Sequence, residues 1–377
     1  MQIFEKTCSL PATSLTVMNA FEPGGGEKFC FFDIETTGLS PNVSSLYLIG
    51  ALWYNSSSET VHIKQWFADD YISEKELLAS FSEFIAGFTT IVHFNGSGFD
   101  IPYIEKKCGQ LGLSSPFLKL NTLDIFREIR TLKSFFDVPN LKLFTIEKLV
   151  GFTRRDNLSG KDCIQVYSDF MQRKYFKDAE MELKRNKLLL HNEEDLIGTY
   201  FSSQLLSYRC PFQFERIKEC RSMVQAFFSF SGTFPLSLTR TTDAPSYTVH
   251  FEGSRIRLDI PLQEGEFFHF FKNYKDYYYL PAEDTAVHKS VGAYVDRQFR
   301  EPAKASNCYI RKEGVFLPLP KGPVPEHHIL FRTGYKSKQH YLYWDETAKQ
   351  DSFLMEQILN TVTSGEYIPR NQSDPVF

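Results

Sequence analysis

Apolar and polar positions follow two periods along this chain, and the places where one gives way to the other outline its elements. Dense apolar runs predict strands at about 28–35, 45–54 and 60–68. A helix is expected at about 73–87, with Ser73 as N-cap and Glu76 three residues on, the spacing of a capping box. A strand at 89–95 leads through a Gly-rich turn into a helix that starts near Asp100. Further helices are expected across 121–175, among them the amphipathic stretch Leu141–Val150. A long helical pattern then carries Leu183, Leu188, Leu189, Leu196, Ile197, Tyr200 and Phe201. Residues 1–27 read as a lead-in segment, with Pro23-Gly24-Gly25-Gly26 as a flexible joint.

The second half changes character. Four short strands are expected at Ser246–Phe251, Arg255–Leu262, Glu266–Phe271 and Tyr277–Leu280, with Glu252-Gly253 as a hairpin turn. The second alternates cleanly, with Ile256, Leu258, Ile260 and Leu262 on one face. A helix is expected from Asp284 to about Glu301, stopped by Pro302; Val287, Val291, Tyr294, Val295 and Phe299 would form its core stripe, with Lys289, Arg297 and Arg300 opposite. Hairpins are expected around Tyr309–Leu319 and Ile329–Trp344, and a last helix around Ser352–Val362. The fold class expected is α/β, a mixed sheet flanked by helices over residues 28–208, followed by an antiparallel α+β domain over residues 209–377.

Composition narrows the possibilities. At 377 residues the chain exceeds the size that one core usually serves. Its net charge of −4 argues against a protein coated in nucleic acid by bulk electrostatics. Seven cysteines without a CxxC pair indicate neither a disulfide framework nor a zinc ribbon. The apolar run Leu46–Tyr54 is too short to cross a bilayer, and the amino terminus has no basic region leading into an apolar stretch. No membrane association and a cytoplasmic location are the expectations.

The chemistry concentrates in three acidic clusters. Phe29–Phe32 reads as a buried central strand, yet it ends in Asp33-Ile34-Glu35, two carboxylates on one face and about 7 Å apart. Like charges that close at the mouth of a core are costly unless something cationic joins them. Lys and Arg are absent between Phe29 and Lys64, so a divalent metal is the economical partner. Thr37, Gly38 and Leu39 supply the turn that opens this strand end. Asp100 projects from the first turn of its helix, near the turn carrying Asn95. His191 and Asp195, four apart, share one face of the long helix.

The order acid-x-acid, then acid, then His-x-x-x-acid resembles the DEDD superfamily of 3′–5′ exonucleases, and especially the YprB-type ribonuclease H-like proteins. Asp33 and Glu35 match the first motif, Asn95 with Phe99-Asp100 the second, and His191 with Asp195 the third. His191 stands at the spacing at which the Tyr-type subclass carries its tyrosine. The resemblance implies a ribonuclease H-like fold over roughly residues 28 to 205. It also implies two Mg²⁺ or Mn²⁺ ions held by Asp33, Glu35, Asp100 and Asp195, with His191 as general base. Thr37, Gly38, Leu39 and Asn95 would hold the terminal nucleotide of a single-stranded or frayed nucleic acid.

Plainer readings stand beside these. His191 can be an ordinary helix histidine and Asp124 a helix N-cap, and Tyr277–Tyr279 read as strand core before a stacking surface. A catalytically weak nucleic-acid-binding protein, or an interaction subunit docking a helicase or another repair or processing protein, is the alternative to a nuclease.

Overall fold

The computed structural model describes residues 1–21, 29–55, 60–133, 135–173, 179–321 and 328–364. They form two compact units, Met1–Pro211 with Ser231–Leu236, and Phe212–Phe230 with Ser237–Phe377.

The first unit is built on a six-stranded mixed sheet. Its strands are β1 (Gln2–Cys8), β2 (Phe29–Thr36), β3 (Leu46–Asn55), β4 (Thr60–Phe67), β5 (Thr90–His93) and β6 (Asn121–Asp124). The spatial order is β1-β4-β3-β2-β5-β6. β2 is central, antiparallel to β3 and parallel to β5, which explains why Phe29–Phe32 is apolar on both faces. The helices are α1 (Thr13–Phe21), α2 (Glu74–Ile85), α3 (Asp100–Leu111), α4 (Ile125–Arg130), α5 (Leu143–Leu149), α6 (Gly160–Arg173) and α7 (Ala179–Ser202). The core beneath α2 and α6 holds Phe32, Tyr47, Trp66, Phe67, Phe81 and Tyr167, each nearly inaccessible.

Two local expectations differ from what this unit adopts, and a third lies outside the described residues. Within the expected lead-in, Gln2–Cys8 is part of the sheet: as β1 it pairs along its whole length with β4, at the sheet edge. The Pro23–Gly26 joint lies outside the described residues. The capping box at Ser73 does not form. Asp70 takes the backbone N–H groups of Ile72 and Ser73 and the Ser73 hydroxyl instead, so the turn before α2 is closed by Asp70.

The second unit is antiparallel throughout. β7 (Gln213–Cys220), β8 (Met223–Ser229), β9 (Leu238–Thr241), β10 (Thr248–Glu252) and β11 (Arg255–Pro261) make a five-stranded sheet. The β10–β11 hairpin turns at Gly253, whose φ is +59°. β12 (Gln263–Phe270) begins a second group, which continues with β13 (Tyr277–Leu280), β14 (Thr285–His288), the single turn α8 (Lys289–Gly292), β15 (Glu301–Pro302) and β16 (Tyr309–Pro318). β17 (Leu330–Phe331) and β18 (Tyr341–Tyr343) complete it, followed by α9 (Glu346–Gln350) and α10 (Ser352–Ser364).

The helix expected from Asp284 to Glu301 does not exist. Thr285-Ala286-Val287-His288 pairs with Tyr277–Leu280 as β14, and α8 stops at Gly292, which lies against Tyr278 and Val287 where a side chain would collide. Val291, Tyr294 and Phe299 of the expected core stripe are exposed, Tyr294 by 92%. The hairpin expected within Tyr309–Leu319 is one ten-residue strand. Gly314, within that strand, leaves room for the Tyr343 ring.

Candidate metal and catalytic site

The strand β2 carries Asp33 and Glu35 to the edge of the core, and α7 crosses this end of the sheet with His191, Asn192 and Asp195. The close approach depends on Gly50 of β3, where any Cβ would lie 2.1 Å from Asn192 Oδ1. Asn192 is inaccessible and fully used: its Oδ1 accepts from Gln65 Nε2 at 2.8 Å, and its Nδ2 donates to Asp33 Oδ2 at 2.9 Å. Asp33 is thereby aimed by two residues, Gln65 and Asn192, that motif reading had not assigned. The register of β2 and β3 slips by one residue between Glu35 and Thr36. Such bulges re-aim side chains, and in this interval the Tyr47 hydroxyl lies 3.5 Å from Glu35 Oε2.

The three clusters converge. Asp33, Glu35 and Asp195 each offer an oxygen within 4.8 Å of the others. Asp100 opens α3 beside them, and its carboxylate accepts the Ile34 backbone N–H. Burial, followed by Asp195, Asp100 and Glu35, drives Asp33 well above the usual carboxylate range. Glu35 is pushed up to about 8, chiefly by burial, with His191 opposing and Asp195 and Asp100 adding to the rise. Burial lifts Asp100 to about 7 against its backbone hydrogen bonds, with Asp195 and Asp124 adding to the rise. Carboxylates so displaced from their ordinary values are held together at the cost of unneutralised charge. The donors are hard oxygens, the chemistry suited to Mg²⁺ or Mn²⁺.

One cation does reach the cluster. Arg154 binds Asp195 through Nη2 and grips Glu147 of α5, with Nε 2.7 Å from Glu147 Oε2. His191 presents Nε2 to Glu35 at 3.5 Å and to Asp195 at 3.6 Å, while Nδ1 meets Asp156 Oδ2 at 2.5 Å. Burial lowers the affinity of the ring for a proton, but Asp195, Glu35 and Asp156 outweigh it and the net shift is upward. Asp156 is itself fixed, its N–H bonded to Glu194 Oε2 at 2.8 Å. A cleft of about 420 Å³ opens over His191 and Asp195, bounded by Phe144, Arg154, Asp156 and Ser159.

The remaining expected residues lie on two turns. Thr37 is tied to Ser45 by two hydrogen bonds, Gly38 accepts from Thr36 and Ser44, and Leu39 is left 84% exposed. Asn95 is exposed at φ +64°, its N–H held by Asp124 Oδ1 at 2.9 Å. Asp124 also caps α4 through Arg127 N–H, as its sequence context suggested.

Residues 30–201 match the family model described as RNase_H superfamily. The mixed sheet and flanking helices of this stretch are ribonuclease H-like. A PolC-type DNA polymerase III of Caldanaerobacter subterraneus subsp. tengcongensis is 29% identical over 139 residues, 32% of this chain. The match spans 9% of that polymerase. Among solved structures, E. coli exonuclease I in complex with a dA16 oligonucleotide is 15% identical, with 54% of each chain covered and a TM-score of 0.27. A family B DNA polymerase from Pyrobaculum calidifontis is 11% identical over 66% of this chain and 35% of its own, with a TM-score of 0.33.

The raised carboxyls of the ribonuclease H-like domain have a measurable consequence. A carboxyl whose pKa rises on folding stabilises the fold below its unfolded value, near 4, and loses that contribution as pH climbs through its folded value. Metal-free protein should therefore melt at progressively lower temperature from pH 5 to pH 8, the window set by Asp100 and Glu35. Added Mg²⁺ or Mn²⁺ should restore the melting temperature at pH 8, and Asp33→Asn should flatten the slope. A thermal scan indifferent to pH, EDTA and the cation alike would count against a metal-binding cluster.

Proposed function

We infer that this chain is a metal-dependent 3′–5′ exonuclease acting on a single or frayed strand of DNA or RNA. The convergence of Asp33, Glu35 and Asp195 on one sheet end, with His191 among them and Asp100 near enough to act on Asp33, carries this reading. Ions held by these carboxylates would neutralise phosphodiester charge and lower the pKa of water, the chemistry of two-metal sites. The protein residues have their own tasks. His191 Nε2 faces the carboxylates and would accept a proton from an attacking water; Asp156 holds Nδ1 and so fixes the tautomer. Asn192 keeps the Asp33 carboxylate in place. Exposed Leu39 and Asn95 flank the acids and suit the terminal nucleotide, with the cleft beside Phe144 as further room. Motif order, including the YprB-type likeness, supports the same assignment.

Direction is open to a direct test. Linear oligonucleotides labelled at the 5′ end should shorten stepwise and release mononucleotides from a free 3′ hydroxyl. Cutting of a circular single strand at a comparable rate would replace this reading with endonuclease action.

A further inference from the structure

We propose that the second unit carries its own docking surface for single-stranded nucleic acid, on the outward face of β12, β16 and the segment following β17. Strands β12, β16, β18 and β17 lie in that order, and a bridge between Phe268 and Arg332 links β12 back to the end of β17. Phe267, Phe316, Phe331 and Tyr341 fill the interior of this rolled sheet. Alternation then sends Phe268 and Phe270 to the opposite face, where polar side chains are the rule.

That face is aromatic. Phe270 lies directly across from Tyr309, with centroids 5.3 Å apart, and Tyr335 stands 5.5 Å from Phe270 while remaining 46% exposed. Asp284 fixes Tyr309 by accepting its hydroxyl at 2.5 Å. Cations border the rings. Arg332 sits over Phe270 at 4.9 Å, and Lys336 and Lys338 are exposed on the following loop. Residues 328–344 contain no Asp or Glu, and none of these three cations forms an ion pair among the described residues. The acids on this face are Glu264, Glu266 and Glu313, which lie towards the end of the strands away from Phe270 and Tyr309, and Asp284; Glu266 and Asp284 both lie 3.7 Å from Arg311. Half-open rings edged by unpaired cations match unpaired bases and their phosphates, the combination by which single strands are held without sequence preference.

The ligand class is shared with the proposed nuclease activity, but the site is separate from it and is tested by binding alone. Fluorescein-labelled (dT)20 and (U)20 are titrated into the full chain in EDTA, and anisotropy is followed against salt. Tyr335→Ala and Phe270→Leu, which removes the ring yet keeps apolar bulk, should each weaken binding roughly fivefold or more. Lys336→Gln with Lys338→Gln should lower the slope of log affinity against log salt by about 1.4, or 0.7 per charge on a single strand. Photocrosslinking of bromodeoxyuridine-substituted (dT)20 should label peptides containing Phe270, Tyr309 or Tyr335. Absence of oligonucleotide binding by the wild type, unchanged affinity and salt slope in all three variants, or crosslinks confined to residues 33–39 and 95–100 would each overturn the proposal. A chain that hydrolyses no nucleic acid but loses binding in these variants would sink the exonuclease reading and leave the docking surface standing.

Discussion

Asp33→Ala and Asp195→Ala are each expected to abolish hydrolysis of a labelled oligonucleotide while the protein still folds. A divalent ion at a phosphodiester contributes several kcal/mol of charge stabilisation. At about 1.4 kcal/mol per tenfold, its loss lowers the rate by roughly 10³-fold or more. Folding is expected to survive for a specific reason. Asp33 already stands well above the usual carboxylate range because burial and its acidic neighbours resist its ionised form, so removing it relieves repulsion in the metal-free state. What is lost is the hydrogen bond to Asn192 Nδ2, whose other contacts remain. At Asp195 the substitution removes one of the two carboxylates bound by Arg154 Nη2, and both Nη2 and Nε stay on Glu147. Circular dichroism and melting temperature would check the fold, and excess EDTA should reproduce the mutant phenotype in the wild type. Undiminished cleavage by either variant, or by the wild type in EDTA, would remove the metal mechanism from consideration.

The site was legible in the sequence where its residues follow a periodic element. Asp33 and Glu35 stand out because a central strand must be apolar, and β2 is apolar up to the point where it is not. His191 and Asp195 were placed together by helical spacing alone. The partners that tune them were not legible, for a physical reason. Arg154 and Asp156 lie between α5 and α6, in a stretch with no hydrophobic period, and are held at the site by Glu194 of α7, which binds the Arg155 and Asp156 backbone, and by Glu147 of α5 on Arg154. No local signal specifies a contact across 38 residues. Gly50 was the available clue to the crossing of α7, being a glycine inside a strand otherwise built to bury large side chains. In the second unit, patterning found β10 to β13 but misread residues 284–301. Val287, Val291, Tyr294 and Phe299 are spaced for a helix, yet cross-strand pairing with Tyr277–Leu280 claims the first of them and the others stand exposed among the described residues.

His191→Phe is expected to bind substrate nearly normally and to lose on the order of 10²-fold in turnover, the usual scale for a general base. The geometry of the ring sets this expectation, since Nε2 lies between Glu35 and Asp195 while Nδ1 is fixed on Asp156. Phenylalanine matches the ring in size but leaves the buried Asp156 carboxylate without its partner. His191→Asn, which can still donate towards Asp156, serves as the control for folding. Asp156→Asn should lose part of the same rate with the substrate KM little changed, because it disturbs the orientation of the ring and leaves the acids alone. His191→Tyr restores the side chain that the Tyr-type subclass has at this spacing and should recover part of the lost turnover. It should also move the acidic limb of the pH profile. The sign follows from the ring: a histidine whose pKa is raised above its ordinary 6.5 is protonated at lower pH and cannot accept a proton, so activity should climb as pH rises through that raised value. A tyrosine, neutral across this range, would not impose that limb. Near-wild-type turnover of His191→Phe with an unshifted acidic limb would assign the histidine to packing between α7 and Asp156.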